Sequence, residues 1–319
     1  MNANNERKNN DRKNPGEEGA ALLVTLLVVV IMTVTITEFL YTTWVDRSFA
    51  AGFRDSTKAL YALRSGVDAA RRIITDDYSA DTNAGLYVDT LRENWAQASL
   101  PIPIEDTYMF VTITDESSKI DLNHLITGGG YPDQGRIDMF RRLLHKLEMD
   151  PDIANYVGDW IDTNSEGPAE DAYYSSLPRP YKCKNAKLDS VDELNRVRGI
   201  TPEIFNKLKP FVTIRSSGFI NINTAPRELL MALDDDISDS LADSVIRARN
   251  EMPFKSKNEI QNVSGFQSIF PRIANLIDVS TDTFSVSATI TFNEVTRKAE
   301  AILTNRTATS ASVIFFRIN

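Results

Sequence analysis

Residues 20–37 read AALLVTLLVVVIMTVTIT, a stretch without a charge, and after Glu38 the run FLYTTWV carries the apolar pattern to Val45. At about 1.5 Å per residue, roughly eighteen helical residues span about 27 Å, close to the roughly 30 Å of a bilayer's hydrocarbon core. The stretch therefore reads as a membrane-spanning helix that tethers everything after it. A secretory signal has an apolar core of only about 7–15 residues, followed by a small-residue cleavage site. Here the core is longer, and Glu38 and more amphipathic helix follow it. A plain membrane anchor is one reading, and processing ahead of the apolar run is another. Arg7, Lys8, Arg12 and Lys13 precede the run and the next basic residue is Arg47. Positive-inside bias then keeps the N-terminus cytoplasmic and sends the bulk of the chain outward.

Beyond the span, Phe49, Phe53, Leu60, Leu63, Val67 and Ala70 recur at helical spacing, with Arg64, Asp68 and Arg71 between them. One long helix is predicted over residues 20–76, broken by DDYSADTN at 76–83. Strands are predicted at 108–114 and 119–123, with a turn between, and again at the far end. There Phe284, Val286, Ala288, Ile290 and Phe292 alternate, residues 297–305 alternate in part, and 311–318 supply a last strand. Residues 125–280 read as helices. The simplest architecture is α+β, with strands from 77–124 and 281–319 sharing one sheet against the long helix and a large α-helical domain inserted between them.

The chain has 319 residues and a formal net charge of −9, which argues against nucleic acid and against an anionic membrane surface as partners. A single cysteine, Cys183, excludes an intramolecular disulfide, and two histidines, His124 and His145, leave no basis for a His-rich zinc site. No nucleophile–base pair, phosphate-binding Gly-rich loop or metal triad supports catalysis, so the chain is not read as an enzyme.

The acidic loop is the strongest chemical feature. Asp159, Asp162, Asn164, Glu166, Glu170 and Asp171 crowd oxygen side chains into a short span, with Gly167 and Pro168 forcing a turn. Calcium takes six to eight oxygens and is the hard cation available outside the cytoplasm. Without a Lys or Arg within the stretch, these groups repel one another unless a cation sits among them. A solvated acidic loop with helix caps is the alternative. Farther on, residues 190–214 and 221–260 read as two similar helical hairpins, resembling the helix-hairpin-helix repeats of DNA-binding proteins. In such repeats backbone N–H groups meet a phosphate. The first hairpin has Gly199-Ile200-Thr201 at the turn, but the second has Asp234-Asp235-Asp236, which opposes a phosphate. A membrane-anchored DNA-binding protein is thus the alternative function, and the hairpins read better as packing modules. Thr224 is expected to cap the helix before Pro226, and Asp189 the helix near Val191.

The leader ending at Gly19, followed by Ala20, resembles a type IV prepilin signal, in which prepilin peptidase cuts after a glycine and the new amine is methylated. Most pilin-like proteins then carry Glu as the fifth mature residue, where it meets a neighbouring subunit's N-terminal amine. Here that residue is Val24. Its absence, the run DWIDTNSEGPAEDAYY followed by PRPY, and the NINTA lead-in together resemble the K-type minor pseudopilins of type II secretion systems. The resemblance covers essentially the whole chain after the leader (residues 1–19). It carries Asp159, Trp160, Asp162, Glu170, Asp171, Tyr173 and Tyr174 onto the family's segment. It implies a pilin-like domain with a SAM-like helical insertion, calcium in the extracytoplasmic domain, and a place at the tip of the pseudopilus. The implied partners are the I- and J-type minor pseudopilins and the inner-membrane secretion platform. The implied location is the inner membrane, single-pass, with the C-terminal domain periplasmic, supporting export of folded proteins across the outer membrane. Ala20 stands where most pilins have Phe, and Glu17 and Glu18 stand where leaders are usually basic.

Overall fold

The computed structural model describes residues 15–97, 100–304 and 306–319. Arg7, Lys8, Arg12 and Lys13 lie outside the described residues. The first element, α1, runs Pro15–Ala84 and is shared by two compact units that part after Lys58.

Within the first unit, α1 is long and apolar enough to cross a membrane, and none of its most apolar window is buried by protein. Its threonines turn their hydroxyls back on the helix. Thr33, Thr35 and Thr37 donate at 2.8 Å to the carbonyls of Val29, Ile31 and Thr33. Polar groups satisfied within the segment are what a hydrocarbon environment requires.

The second unit starts with the remainder of α1. The expected break at 76–83 does not occur, and the helix continues to Ala84. Its polar residues find partners instead of forming a turn: Arg72 pairs with Asp76 at 2.9 Å, and Ser79 donates to Thr75 O and to Ala308 O. The end is set by Gly85 at φ +68°, the left-handed conformation that closes helices, with its N–H on Thr82 O.

Five antiparallel strands form the main sheet, in the order β1 (Leu100–Ile104), β2 (Thr107–Asp115), β7 (Thr283–Phe292), β8 (Val295–Thr304) and β9 (Ser312–Ile318). β1, LPIPI, is not expected from the sequence, because Pro101 and Pro103 disguise it. Proline is tolerated on an edge strand, which is where β1 lies. The register sets Met109 beside Ile290, Val111 beside Ala288 and Ile113 beside Val286. Period-2 alternation turns these residues to one face. Ala59, Ala62 and Leu63 of α1 pack on one end of that face, and Val67, Ala70 and Ile74 with Trp95 on the other. Gly66 lets helix and sheet approach, since a Cβ there would lie 2.8 Å from the Met109 thioether. Gly66→Leu forces several carbons into that contact and is expected to destabilise the unit by about 1–3 kcal/mol in thermal unfolding, whereas Gly66→Ala meets the flexible end of Met109 and, at 3.3 Å, Val111 Cγ2, and costs less.

The inserted region lies between β2 and β7 and is more than helices. It is built from two similar halves, each opened and closed by a short strand, and each strand pair is parallel. β3 (Ile120–Asp121) pairs with β4 (Val212–Thr213), and β5 (Ile220–Asn221) with β6 (Ile277–Asp278). The first half holds α2 (Gln134–Lys146), α3 (Ile153–Ile161), α4 (Asp171–Ser175) and α5 (Pro202–Leu208). The second holds α6 (Arg227–Ala232), α7 (Asp239–Glu251) and α8 (Phe270–Ile273). An asparagine repeats its work in each half. The Asn123 side chain exchanges two bonds with the Leu188 backbone, and the Asn223 side chain does the same with Phe254.

This corrects the pairing of the hairpins. The structural counterpart of SVDELNRVRGI is SKNEIQNVSGF at 256–266, and Gly199 and Gly265 both have positive φ. The strand expected at 119–123 shortens to β3, because Asp121 turns the chain by accepting from Asn123 N. The boundary expected at 124 also moves, since Ile120 and Leu122 are buried in the core of the inserted region. The caps differ from expectation too. Thr224 Oγ1 donates to Asp115 at 2.6 Å and leaves α6 without a side-chain cap. Ser190, not Asp189, caps the turn at 191 in a capping box with Glu193.

Candidate metal centre

α3 carries Asp159 and Trp160 in its last turn, and Asp162 is its C-cap. A spacing of three places the two carboxylates on one side of the helix end. The chain then loops through Gly167 and Pro168 and returns at Glu170, the N-cap of α4. Gly167 passes so close to Asp159 that a Cβ would collide with its carboxylate, so only glycine fits the loop there. Asp159, Asp162 and Glu170 are all buried, and each places a carboxylate oxygen within 4.8 Å of the others.

The three differ in how their oxygens are satisfied. Asp159 Oδ2 accepts from Ala169 N at 2.8 Å, and Asp162 accepts from the Asn164 backbone and side chain at 3.2 and 2.7 Å. Glu170 is 5% exposed, and neither of its oxygens has a hydrogen-bond partner. A buried, unpartnered carboxylate is costly unless a charge compensates it. Burial, and then the charges of Asp162, Asp159 and Asp171, push Glu170 up to about 7. Burial also raises Asp159 and Asp162, against the hydrogen bonds that hold them down. Such a trio suits a hard divalent cation, which would take up the oxygens that nothing else satisfies.

The other three predicted residues stand apart from the trio. Asn164 orients Asp162 and accepts from Glu166 N at 2.6 Å. Glu166 is exposed, and Asp171 accepts from Cys183 N at 2.7 Å. That last bond belongs to a segment that carries no acidic residue to mark it in the sequence. Residues 183–185 run beside the end of α3, with Cys183 Sγ on Asp159 O and Asn185 N on Trp160 O. Asn185 sits at φ +47° with a buried, unpartnered Oδ1. An asparagine soon after the tyrosines was the available signal, since asparagine tolerates that conformation.

Aromatic rings wall the loop. Tyr174, fully buried, meets Trp160 edge-on at 5.1 Å, stacks on Tyr181 at 5.1 Å and meets Tyr173 at 5.2 Å. Arg198 lies 4.7 Å over Tyr156 and 4.5 Å over Tyr173, and donates to Pro168 O.

The remaining predicted positions lie elsewhere. Gly19, Ala20 and Val24 are exposed on α1. At the second hairpin Arg272 grips Asp234 by two bonds of 2.7 Å and also meets Asp236, while Arg142 meets Asp235 at 3.1 Å. Those aspartates serve the fold's own arginines.

Family models for "Type II secretion system (T2SS), protein K" match residues 118–217 and 220–280, together just over half of the chain, and the gap between them falls where the two structural halves meet. The chain is 26% identical over 307 residues to type II secretion system protein K of Aeromonas hydrophila, covering 89% of this chain and 92% of that protein. It is 29% identical over 191 residues to the protein of that name from Pectobacterium carotovorum, covering 53% and 57%. In structure it resembles a chain in the crystal structure of the GspK-GspI-GspJ complex from the enterotoxigenic Escherichia coli type 2 secretion system. The TM-score is 0.69 at 19% identity, covering 85% of this chain and 99% of that one. That likeness shows a shared fold. With the matched models spanning both halves of the inserted region, the chain belongs to the type II secretion system protein K family.

Proposed function

We propose that this minor pseudopilin of type II secretion caps the tip of the pseudopilus. The observation that carries the reading is Val24: a span long and apolar enough for a bilayer has valine where a pilin-like subunit needs a carboxylate for the amine of the subunit ahead of it. A subunit lacking that group belongs where no subunit lies ahead. The inserted region adds bulk that a helical stack of small pilin domains has no room for. By analogy with the E. coli complex, the partners are the I- and J-type minor pseudopilins. The role is structural and not enzymatic, with cleavage between Gly19 and Ala20, the span in the inner membrane and the C-terminal domain in the periplasm. Asp159, Asp162 and Glu170 hold calcium, which stiffens the loop against the inserted helices.

N-terminal mass spectrometry of the protein purified from membranes tests the anchor: a chain starting at Ala20 is expected, and an intact Met1 overturns prepilin processing. Co-purification tests the tip. The wild-type chain is expected to retain the I- and J-type subunits, and failure to recover either one overturns the assignment.

A further inference from the structure

A second buried polar cluster lies where the inserted region leaves the sheet, remote in sequence from the acidic loop. Its centre is Arg306, in the connection between β8 and β9. Its guanidinium holds Asp89 by two bonds of 2.8 and 2.7 Å, donates to Thr281 O at 2.7 Å and lies 3.5 Å from Asp77. It stacks on Tyr78 and Phe284, at 5.3 and 4.9 Å. Asp89 in turn accepts from Thr281 N at 2.7 Å and donates its own N–H to Val279 O. One side chain therefore ties the end of α1, the segment after it and the exit of the inserted region to the sheet.

The charges around it do not balance. Asp77 and Asp81 face the cluster from α1, Asp89 and Glu93 from the following segment, Asp115 from the end of β2, and Asp282 from the chain entering β7. Arg306 is the cation that the described residues set among them. Burial is the largest cause of each raised pKa: Asp77 is pushed up to about 8, Glu93 to about 7 and Asp115 to about 6. Glu93 also accepts from Thr90 N and Trp95 Nε1, and these two bonds hold it beside the cluster.

We propose that this junction is a proton-held hinge: protons on Asp77 and Glu93 let Arg306, paired with the Asp89 carboxylate, clamp the inserted region to the sheet, and losing them loosens the clamp. The sign follows from linkage. A carboxyl whose folded pKa is raised contributes stability that is full below its unfolded pKa and lost as pH rises through the folded one. Between about pH 6 and about pH 9, repulsion of Asp77 and Asp81 by Asp89 and Glu93 grows and works to part α1 from the segment after it. The placement of the inserted region on the sheet thus responds to the pH of its compartment, independently of any metal at the acidic loop.

Hydrogen exchange on the full chain in detergent micelles, with chelator present throughout, tests this. After correction for intrinsic rates, protection of the Asp89, Thr90 and Thr281 amides is expected to fall about tenfold or more between about pH 6 and about pH 9, while β7 amides hold theirs. In Asp77→Asn, and separately in Glu93→Gln, that fall is expected to shrink severalfold. Protection that stays flat with pH in the wild type, or that falls equally in both variants, overturns the hinge. Recovery of protection at high pH on adding excess calcium or magnesium also overturns it, because the cluster would then answer to a divalent cation and not to protons.

Discussion

Chelating calcium from the full chain in detergent is expected to lower the melting temperature of the sheet-bearing unit by roughly 5–10 °C. The magnitude follows from mass action: a ligand at about a hundredfold over its dissociation constant adds about 2.7 kcal/mol. In a unit of this size each kcal/mol moves the midpoint by about 2–4 °C. The physical origin is Glu170, whose two buried oxygens have no protein partner and whose charge sits among Asp159, Asp162 and Asp171. Proton binding offers the same relief as a cation. Because the folded pKa is raised from 4.5 to about 7, the calcium-free protein is expected to gain stability as pH falls from about 8 toward about 5. Calcium is expected to remove the share of that slope that comes from Glu170. Glu170→Gln removes the repulsion and a ligand together, so its chelator-treated form is expected to melt above the chelated wild type and to respond weakly to calcium. A melting temperature indifferent to chelator and calcium would end the metal reading of this loop.

Tyr174→Ala is expected to destabilise the same unit by about 3–5 kcal/mol, measured by thermal or denaturant unfolding of the full chain in micelles. The ring is fully buried between Trp160, Tyr173 and Tyr181, so deletion leaves a cavity lined by rings that cannot close on it. Its hydroxyl accepts from Arg198 N at 3.2 Å. Tyr174→Phe keeps the ring contacts and loses only that bond, for about 1 kcal/mol. The two variants separate packing from polar loss. Since Trp160 is flanked in sequence by Asp159 and lies two residues before Asp162, the alanine variant is also expected to weaken calcium binding, and the phenylalanine variant to leave it nearly unchanged.

Local pattern was enough for much of this molecule. Residues 20–37 declare a bilayer-length helix because charge is absent over a whole span, a property that needs no partner to interpret. The alternation of Phe284, Val286, Ala288, Ile290 and Phe292 declares a strand buried on one face, and β7 has that alternation. The three aspartates at 234–236 oppose a phosphate by charge alone. The acidic loop was visible as a density of oxygens between residues 159 and 171.

Other features depend on groups far apart in the chain. DDYSADTN reads as a helix breaker by composition, yet stays helical because Asp77 turns to Arg306 and Ser79 to Ala308, more than two hundred residues away. The internal repeat is hidden in the sequence because its matching halves differ in length and share mainly asparagine–backbone bonds and positive-φ glycines, which three-dimensional pairing exposes. Among the six oxygen-bearing side chains of the loop, chain spacing alone does not separate ligands from helpers. Asn164 and Asp171 spend their side chains on other backbone and side-chain groups, whereas Glu170 is carried into the interior by a turn that only Gly167 permits. Burial without a partner distinguishes Glu170 from its neighbours, and burial belongs to the packed chain, not to any window of its residues.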